Sequence, residues 1–138
     1  MVGRLVYLLD TSVILELLLD QEKADDVERL LRETRAARLH LSEFTLYSLG
    51  IVLMRRRKHD TFLQALDELL AAAVVRLIRL TVRDMKAIAD ASRNYNLDFD
   101  DAYQYVAAEK RNLTIVSFDK DFDHTPRGRK TPAEVISS

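Results

Sequence analysis

The 138-residue sequence predicts a three-layer α/β/α domain around a central parallel sheet of four to five strands. Three observations carry that expectation. Short apolar runs alternate with longer stretches of helical periodicity along the whole chain. The first run, residues 4–9, is continuous rather than alternating, as in a strand covered on both faces. No linker, repeat or low-complexity tract interrupts the pattern, so residues 1–138 are expected to form one domain.

The first strand covers residues 4–9 and runs directly into Asp10-Thr11-Ser12. Helical pattern resumes from Val13 to Leu19, with Thr11 or Ser12 as its capping hydroxyl. Gln21 to Arg35 reads as a second helix because Ala24, Val27, Leu30 and Leu31 share one stripe. Residues 38–42 are the second strand, and a helix follows from Glu43 to about Lys58. Gly50 inside that helix predicts close packing against another element, since glycine there otherwise only weakens it. A helix over residues 61–73 precedes a third strand over residues 74–80. Thr81 and Asp84 have capping-box spacing and open a helix that the asparagines near Tyr95 stop. Asp98-Phe99-Asp100-Asp101 opens the next helix, Asn112 ends it, and residues 113–117 are the fourth strand. After a polar loop with Pro126 and Gly128, Val135-Ile136 is expected to add a fifth.

Composition narrows the function classes. Apolar content of 48% and charged content of 31% describe a globular chain. Net charge is −1, so a polyanion must be held by a local patch or through a metal. The absence of cysteine excludes disulfides, thiolate zinc sites and cysteine nucleophiles. No apolar run is long enough to span a membrane and no signal-peptide pattern opens the chain, so a cytoplasmic location is expected.

Most of the 22 acidic residues fall on solvated helix faces, but a few stand apart by position. Asp10 ends the first strand, Glu43 follows the second, and Asp119 follows the fourth; Asp98, Asp100 and Asp101 open the helix leading into the fourth. In open α/β sheets the crevice beyond the carboxyl ends of the strands is where ligands bind. A lone acid at the end of a buried strand is costly to desolvate. Several such acids together take up either protons or a cation, and all-oxygen ligation favours Mg²⁺ or Mn²⁺. Plainer roles compete: an N-cap for Asp10, and helix-dipole partners for Asp98, Asp100 and Asp101. Asp119 is preferred to Asp121 and Asp123 because it lies nearest the strand end.

Leu8-Leu9-Asp10-Thr11-Ser12-Val13-Ile14 resembles the opening motif of PIN-domain nucleases, and Asp100-Asp101-Ala102 followed by Leu113 to Phe122 resembles their closing pair of motifs. The resemblance extends over nearly the whole chain. It implies a Mg²⁺- or Mn²⁺-dependent ribonuclease, often the toxin half of a VapBC-type toxin–antitoxin pair, and commonly a homodimer. By position, Asp10, Asp101 and Asp119 match the family's first, third and fourth acids. Ser12 matches its small hydroxyl residue, and Asp100 and Ser117 adjoin the matched acids.

The second acid is a departure. Many members carry a Glu about one turn inside the helix after strand two, and here Ser48 takes that place in Leu46-Tyr47-Ser48-Leu49. Glu43 is the nearest acid, five residues earlier and roughly 140° around the helix. It can join the ligands only from the helix entry. Ser48 therefore motivates a rival reading, a non-catalytic domain that binds RNA or a partner protein. A phosphatase or receiver-like domain is disfavoured: the former needs a second Asp where Ser12 stands, and the latter an acid pair before strand one.

Arg55, Arg56, Arg57 and Lys58 are candidates for an RNA track, as are Arg127, Arg129 and Lys130. The competing role for the first run is complementing a helix C-terminus. His40, His59 and His124 lack ligand spacing. Tyr95, Tyr103, Tyr105 and Phe99 read mainly as core, with base stacking as the alternative.

Overall fold

The computed structural model describes residues 5–137, so Arg4 of the expected first strand lies outside the described residues. Four parallel strands, β1 (Tyr7–Leu9), β2 (Leu39–Ser42), β3 (Arg76–Ile78) and β4 (Thr114–Val116), form one sheet in the order β3-β2-β1-β4. The register pairs Tyr7 with Leu39 on one side and with Thr114 on the other. Seven α-helices are seen among the described residues: α1 (Thr11–Leu18), α2 (Ala24–Glu33), α3 (Glu43–Arg55), α4 (His59–Leu66), α5 (Met85–Tyr95), α6 (Phe99–Arg111) and α7 (Pro132–Ile136).

Alternate residues of β1 point into two cores, which makes the layers explicit. Tyr7 and Leu9 pack with Val13, Ile14, Val27, Leu30, Leu49 and Leu53 of α1 to α3. Leu8 packs on the other face with Ile88 and Ala91 of α5 and with Ala102, Tyr105 and Val106 of α6. Burial on both faces is why β1 reads as an unbroken apolar run. Helix α6 is buried from Asp101 through Ala108, with Ala102, Ala107 and Ala108 permitting close approach to the sheet.

Several local expectations are met for the reasons given. Asn96 and Asn112 end α5 and α6 in the left-handed conformation, at φ of 53° and 54°. Asp84 accepts from Thr81 N at 2.6 Å at the start of the turn leading into α5. The ring of Phe62 on α4 lies over Gly50, where a Cβ would stand 3.5 Å from it.

The fifth strand is a correction. Val135 and Ile136 belong to α7, where Thr131 and Glu134 form a capping box and Pro132 occupies the first turn. Those local start signals outweigh the β preference of two branched residues. Lys130 instead pairs with β4 as a single bridge: its N–H donates to Ile115 O at 2.8 Å and its carbonyl accepts from Ser117 N at 2.9 Å.

Candidate metal centre

From β1 the chain proceeds outward through β2 and β3, whereas β4 is added on the opposite side of β1. The crevice between the carboxyl ends of β1 and β4 is thus where the direction of winding changes. Asp10 sits there. Its N–H donates to Val116 O at 2.9 Å, which continues the β1–β4 pairing to the carboxylate-bearing residue.

Asp10 occupies the N-cap position of α1, yet its side chain makes no capping hydrogen bond. Instead Ser117 Oγ donates to Asp10 Oδ2 at 2.6 Å and Ser12 Oγ donates to the same oxygen at 2.9 Å. Ser117 Oγ also accepts from Asp119 N at 2.9 Å, and Ser12 Oγ accepts from Phe118 N at 3.3 Å. Two hydroxyls therefore orient Asp10 and fix the start of the loop after β4. Asp10 is only 5% exposed. Burial raises its pKa, against the lowering effect of the two serines.

Asp101 projects from the first turn of α6 toward the same loop. Asp101, Asp119 and Asp121 each bring a carboxylate oxygen within 4.8 Å of the others. Asp119 Oδ1 accepts from Asp121 N at 2.8 Å, which holds the turn after β4 closed. Burial, a hydrogen bond with Asp119 and the charges of Asp119, Asp10 and Asp121 push the Asp101 carboxyl up to about 8. Asp101 thus keeps its proton near neutrality. A hard-oxygen cluster that otherwise retains a proton fits a divalent cation such as Mg²⁺ or Mn²⁺.

Asp10, Asp100, Asp101 and Asp119 form one wall of a cavity of about 550 Å³, and Phe44, Ser48, Ile51, Val52 and Arg55 of α3 form the facing wall. Asp121 belongs to the acid cluster at its exposed rim, whereas Asp123 turns away to pair with Arg129 at 2.8 Å. Ser48 reaches the cavity. Glu43 does not line it; its carboxylate pairs with Arg79 Nε at 2.9 Å, beyond the end of β3. The angular offset of roughly 140° between the two positions accounts for this division. Ser48 and Glu43 therefore lie on different faces of α3, one on the cavity and the other against Arg79.

A buried polar knot beneath the acids was not anticipated from the sequence. Gln104 Nε2 donates to Thr45 Oγ1 at 2.7 Å, and Thr11 and Thr45 hydroxyls lie 3.0 Å apart. This ties α6, α3 and α1 together under the cavity, with Gln104 only 1% exposed. The available signal was spacing, since Gln104 follows Asp101 by three residues and so shares its helix face.

Of the basic run, Arg55 lines the cavity and Arg56 and Arg57 do not. In the tail, Arg127 donates to Asn112 Oδ1 at 2.8 Å, and Arg129 donates to Ser117 O at 3.0 Å besides pairing with Asp123. Both are anchors for the loop after β4. His40 Nδ1 contacts Tyr7 O and His124 Nε2 contacts Tyr95 O, so neither ring faces the acids. Tyr95 stacks on Tyr105 within the core, while Phe44, Phe99 and Tyr103 cluster beside the cavity, with Phe99 half exposed.

No curated protein matches the sequence. Solved structures do match the fold. A toxin–antitoxin complex from Klebsiella pneumoniae aligns at a TM-score of 0.71 and 18% identity, covering 91% of this chain and 97% of that one. VapC20 of Mycobacterium tuberculosis, described as a sarcin-ricin loop cleaving toxin, aligns at 0.75 and 21% identity, covering 88% and 95%. FitAcB from Neisseria gonorrhoeae aligns at 0.73 and 20% identity, covering 93% and 99%. The PIN domain family model matches residues 7–128, from the first residue of β1 to beyond the acid-bearing loop. With that match over most of its length, the chain belongs to the PIN domain family.

Proposed function

We propose that the chain is a Mg²⁺- or Mn²⁺-dependent ribonuclease and the toxin member of a VapBC-type toxin–antitoxin pair. The observation that carries the reading is the convergence of Asp10, Asp101 and Asp119 on one cavity, with carboxylate oxygens of Asp101 and Asp119 within 4.8 Å of each other. Asp10, Asp101 and Asp119 would hold the ion, and Asp121 joins them from the rim. Glu43, already paired with Arg79, has no part in this ligand set. When bound, the ion supplies a water of lowered pKa and positive charge at the leaving oxygen.

The chain's own residues do the rest. Ser12 and Ser117 hold Asp10 Oδ2 in one orientation, so the carboxylate does not have to reorganise as charge develops. The Gln104–Thr45–Thr11 knot keeps α3 and α6 at a constant separation across the cavity. Phe44, Ile51 and Val52 make the facing wall largely apolar, which strengthens electrostatic interactions within it.

The toxin assignment is supported by neighbours described as toxins or toxin–antitoxin complexes. An antitoxin and a second copy of the chain are the partners this reading implies. Exposed Tyr47, Ile51, Met54 and Leu63 on α3 and α4 offer apolar surface to them.

The test is Asp10→Asn assayed on a panel of structured and single-stranded RNAs with Mn²⁺ supplied. Cleavage by the wild type and loss of cleavage by the variant, with an unchanged circular dichroism spectrum, is the expected result; undiminished cleavage overturns the reading. A second reading, a non-catalytic RNA- or protein-binding domain, is favoured by Ser48 standing in the cavity where relatives carry an acid. It predicts no Mn²⁺ binding above that of Asp10→Asn/Asp101→Asn.

A further inference from the structure

The facing wall of the cavity is uneven in charge. Phe44, Ser48, Ile51, Val52 and Arg55 recur along α3 at intervals that keep them on one helix face. Ser48 and Arg55 are seven residues apart, roughly 20° from eclipsed. Among the described residues that line the cavity, Arg55 is the only cation, against four aspartates. It is also uncommitted: among the described residues it makes no ion pair with the acid wall or with any other group. Arg79 and Arg129, by contrast, are engaged in ion pairs.

A guanidinium placed to neutralise the aspartates would lie against them. Arg55 instead faces them across open space. A divalent ion on the acid wall neutralises two of four carboxylates, which leaves an RNA phosphate repelled unless another cation draws it in. With Ser48 in place of an acid, α3 has no ligand with which to recruit a further metal ion. The helix does present, two turns on, a fixed positive charge whose planar fork matches two phosphate oxygens.

We propose that Arg55 is the phosphate-seating residue of this cavity, engaging the RNA phosphodiester from the α3 wall while the acid wall holds the metal. The assignment rests on the ribonuclease reading for its substrate, and on the cavity geometry for the residue. It singles out Arg55 from its neighbours: Arg56 and Arg57 do not line the cavity.

The experiment compares the full-length wild type with Arg55→Ala and Arg55→Lys. Arg35→Ala, an exposed cation at the opposite end of the sheet just before β2, serves as the charge control. Fluorescence anisotropy with a fluorescein-labelled single-stranded 12-nucleotide RNA is read in EDTA, and kcat/KM for Mn²⁺-dependent cleavage is read on the same RNA. Arg55→Ala is expected to weaken RNA binding and to lower kcat/KM by about tenfold or more, and to reduce the salt slope by about one. Arg55→Lys should restore the slope but only part of the affinity, while Arg35→Ala stays within about twofold. Calorimetric Mn²⁺ affinity of the RNA-free protein should be unchanged by Arg55→Ala. Equal RNA affinity and slope for Arg55→Ala and Arg35→Ala overturn the proposal. A fall of more than about fivefold in Mn²⁺ affinity also overturns it, because Arg55 would then act on the ion site. If the wild type shows no Mn²⁺-dependent cleavage, the ribonuclease reading fails on its own, and anisotropy still decides the role of Arg55.

Discussion

Ser117 Oγ donates to Asp10 Oδ2 at 2.6 Å, joining residues 107 positions apart in the chain and locking the end of β4 to the end of β1. The same hydroxyl accepts from Asp119 N, so one side chain positions two of the acids. Ser117→Ala should lower stability by about 1–2 kcal/mol, because it leaves a buried carboxylate oxygen with one donor fewer. It should also weaken Mn²⁺ binding about tenfold, the usual consequence of losing a group that orients a ligand. Chemical denaturation and metal calorimetry read the two effects separately. A stable variant with unchanged Mn²⁺ affinity would remove Ser117 from the site.

Asp10 is buried and its carboxyl is driven toward the neutral form. Asp10→Asn is nearly isosteric, keeps an acceptor for Ser12 and Ser117, and avoids burying a charge. The metal-free variant should therefore be more stable than the wild type by about 1 kcal/mol, seen as a rise of a few degrees in Tm. A lower Tm would mean that Asp10 contributes to the fold rather than opposing it.

The raised pKa of Asp101 sets the pH response of the metal-free protein. The folded chain retains a proton up to about pH 8 that the unfolded chain releases near the ordinary carboxylate value of 3.8. Between those limits the native state binds more protons, so stability falls as pH rises and levels off above about 8. The slope stays below about 1.4 kcal/mol per pH unit, since the cavity mouth is open to water. Asp10, shifted in the same direction, adds to the trend. Saturating Mn²⁺ should abolish the slope, and Mn²⁺ affinity should rise with pH through the same window as the ion displaces the proton. Urea titrations at several pH values, with and without Mn²⁺, provide the check.

Glu43 and Ser48 make opposite predictions. Glu43→Gln loses an exposed pair with Arg79 and should cost less than about 1 kcal/mol, with Mn²⁺ affinity unchanged within about twofold. Ser48→Glu adds a carboxylate to the cavity wall and should tighten Mn²⁺ binding or raise its stoichiometry, as measured by calorimetry. A large loss of affinity in Glu43→Gln would return Glu43 to the ligand set.

What the sequence revealed depended on how local the determinant was. β1 was legible because burial on both faces leaves an unbroken apolar run, the other strands because short runs alternate with helical periodicity, and Asn96 and Asn112 marked helix ends by their left-handed preference. Val135 and Ile136, expected as a fifth strand, are instead helical because the Thr131-Pro132 start and Glu134 capping box act just before them. Asp10, Asp101 and Asp119 were legible as a set because strand ends fix one edge of a parallel sheet. The commitment of Glu43 to Arg79, of Asp123 to Arg129 and of Gln104 to Thr45 was not, because each partner is brought in by tertiary packing. Asp121 was ranked behind Asp119 on distance from the strand, and the tight turn after β4 removes that distance.

The insertion of β4 beside β1 has a consequence for the order in which the molecule is made. Asp10 is synthesised early, but the partners that complete the cavity come from α6 and from the loop beyond β4. Until the ribosome has delivered the segment through Asp121, β1 lacks its β4 partner and the acid cluster cannot form. If the proposed activity is correct, the cleaving competence of this molecule is withheld from its own translation and arises only when synthesis of the domain is nearly finished. A truncated product is then inert by construction, without any inhibitor bound to it.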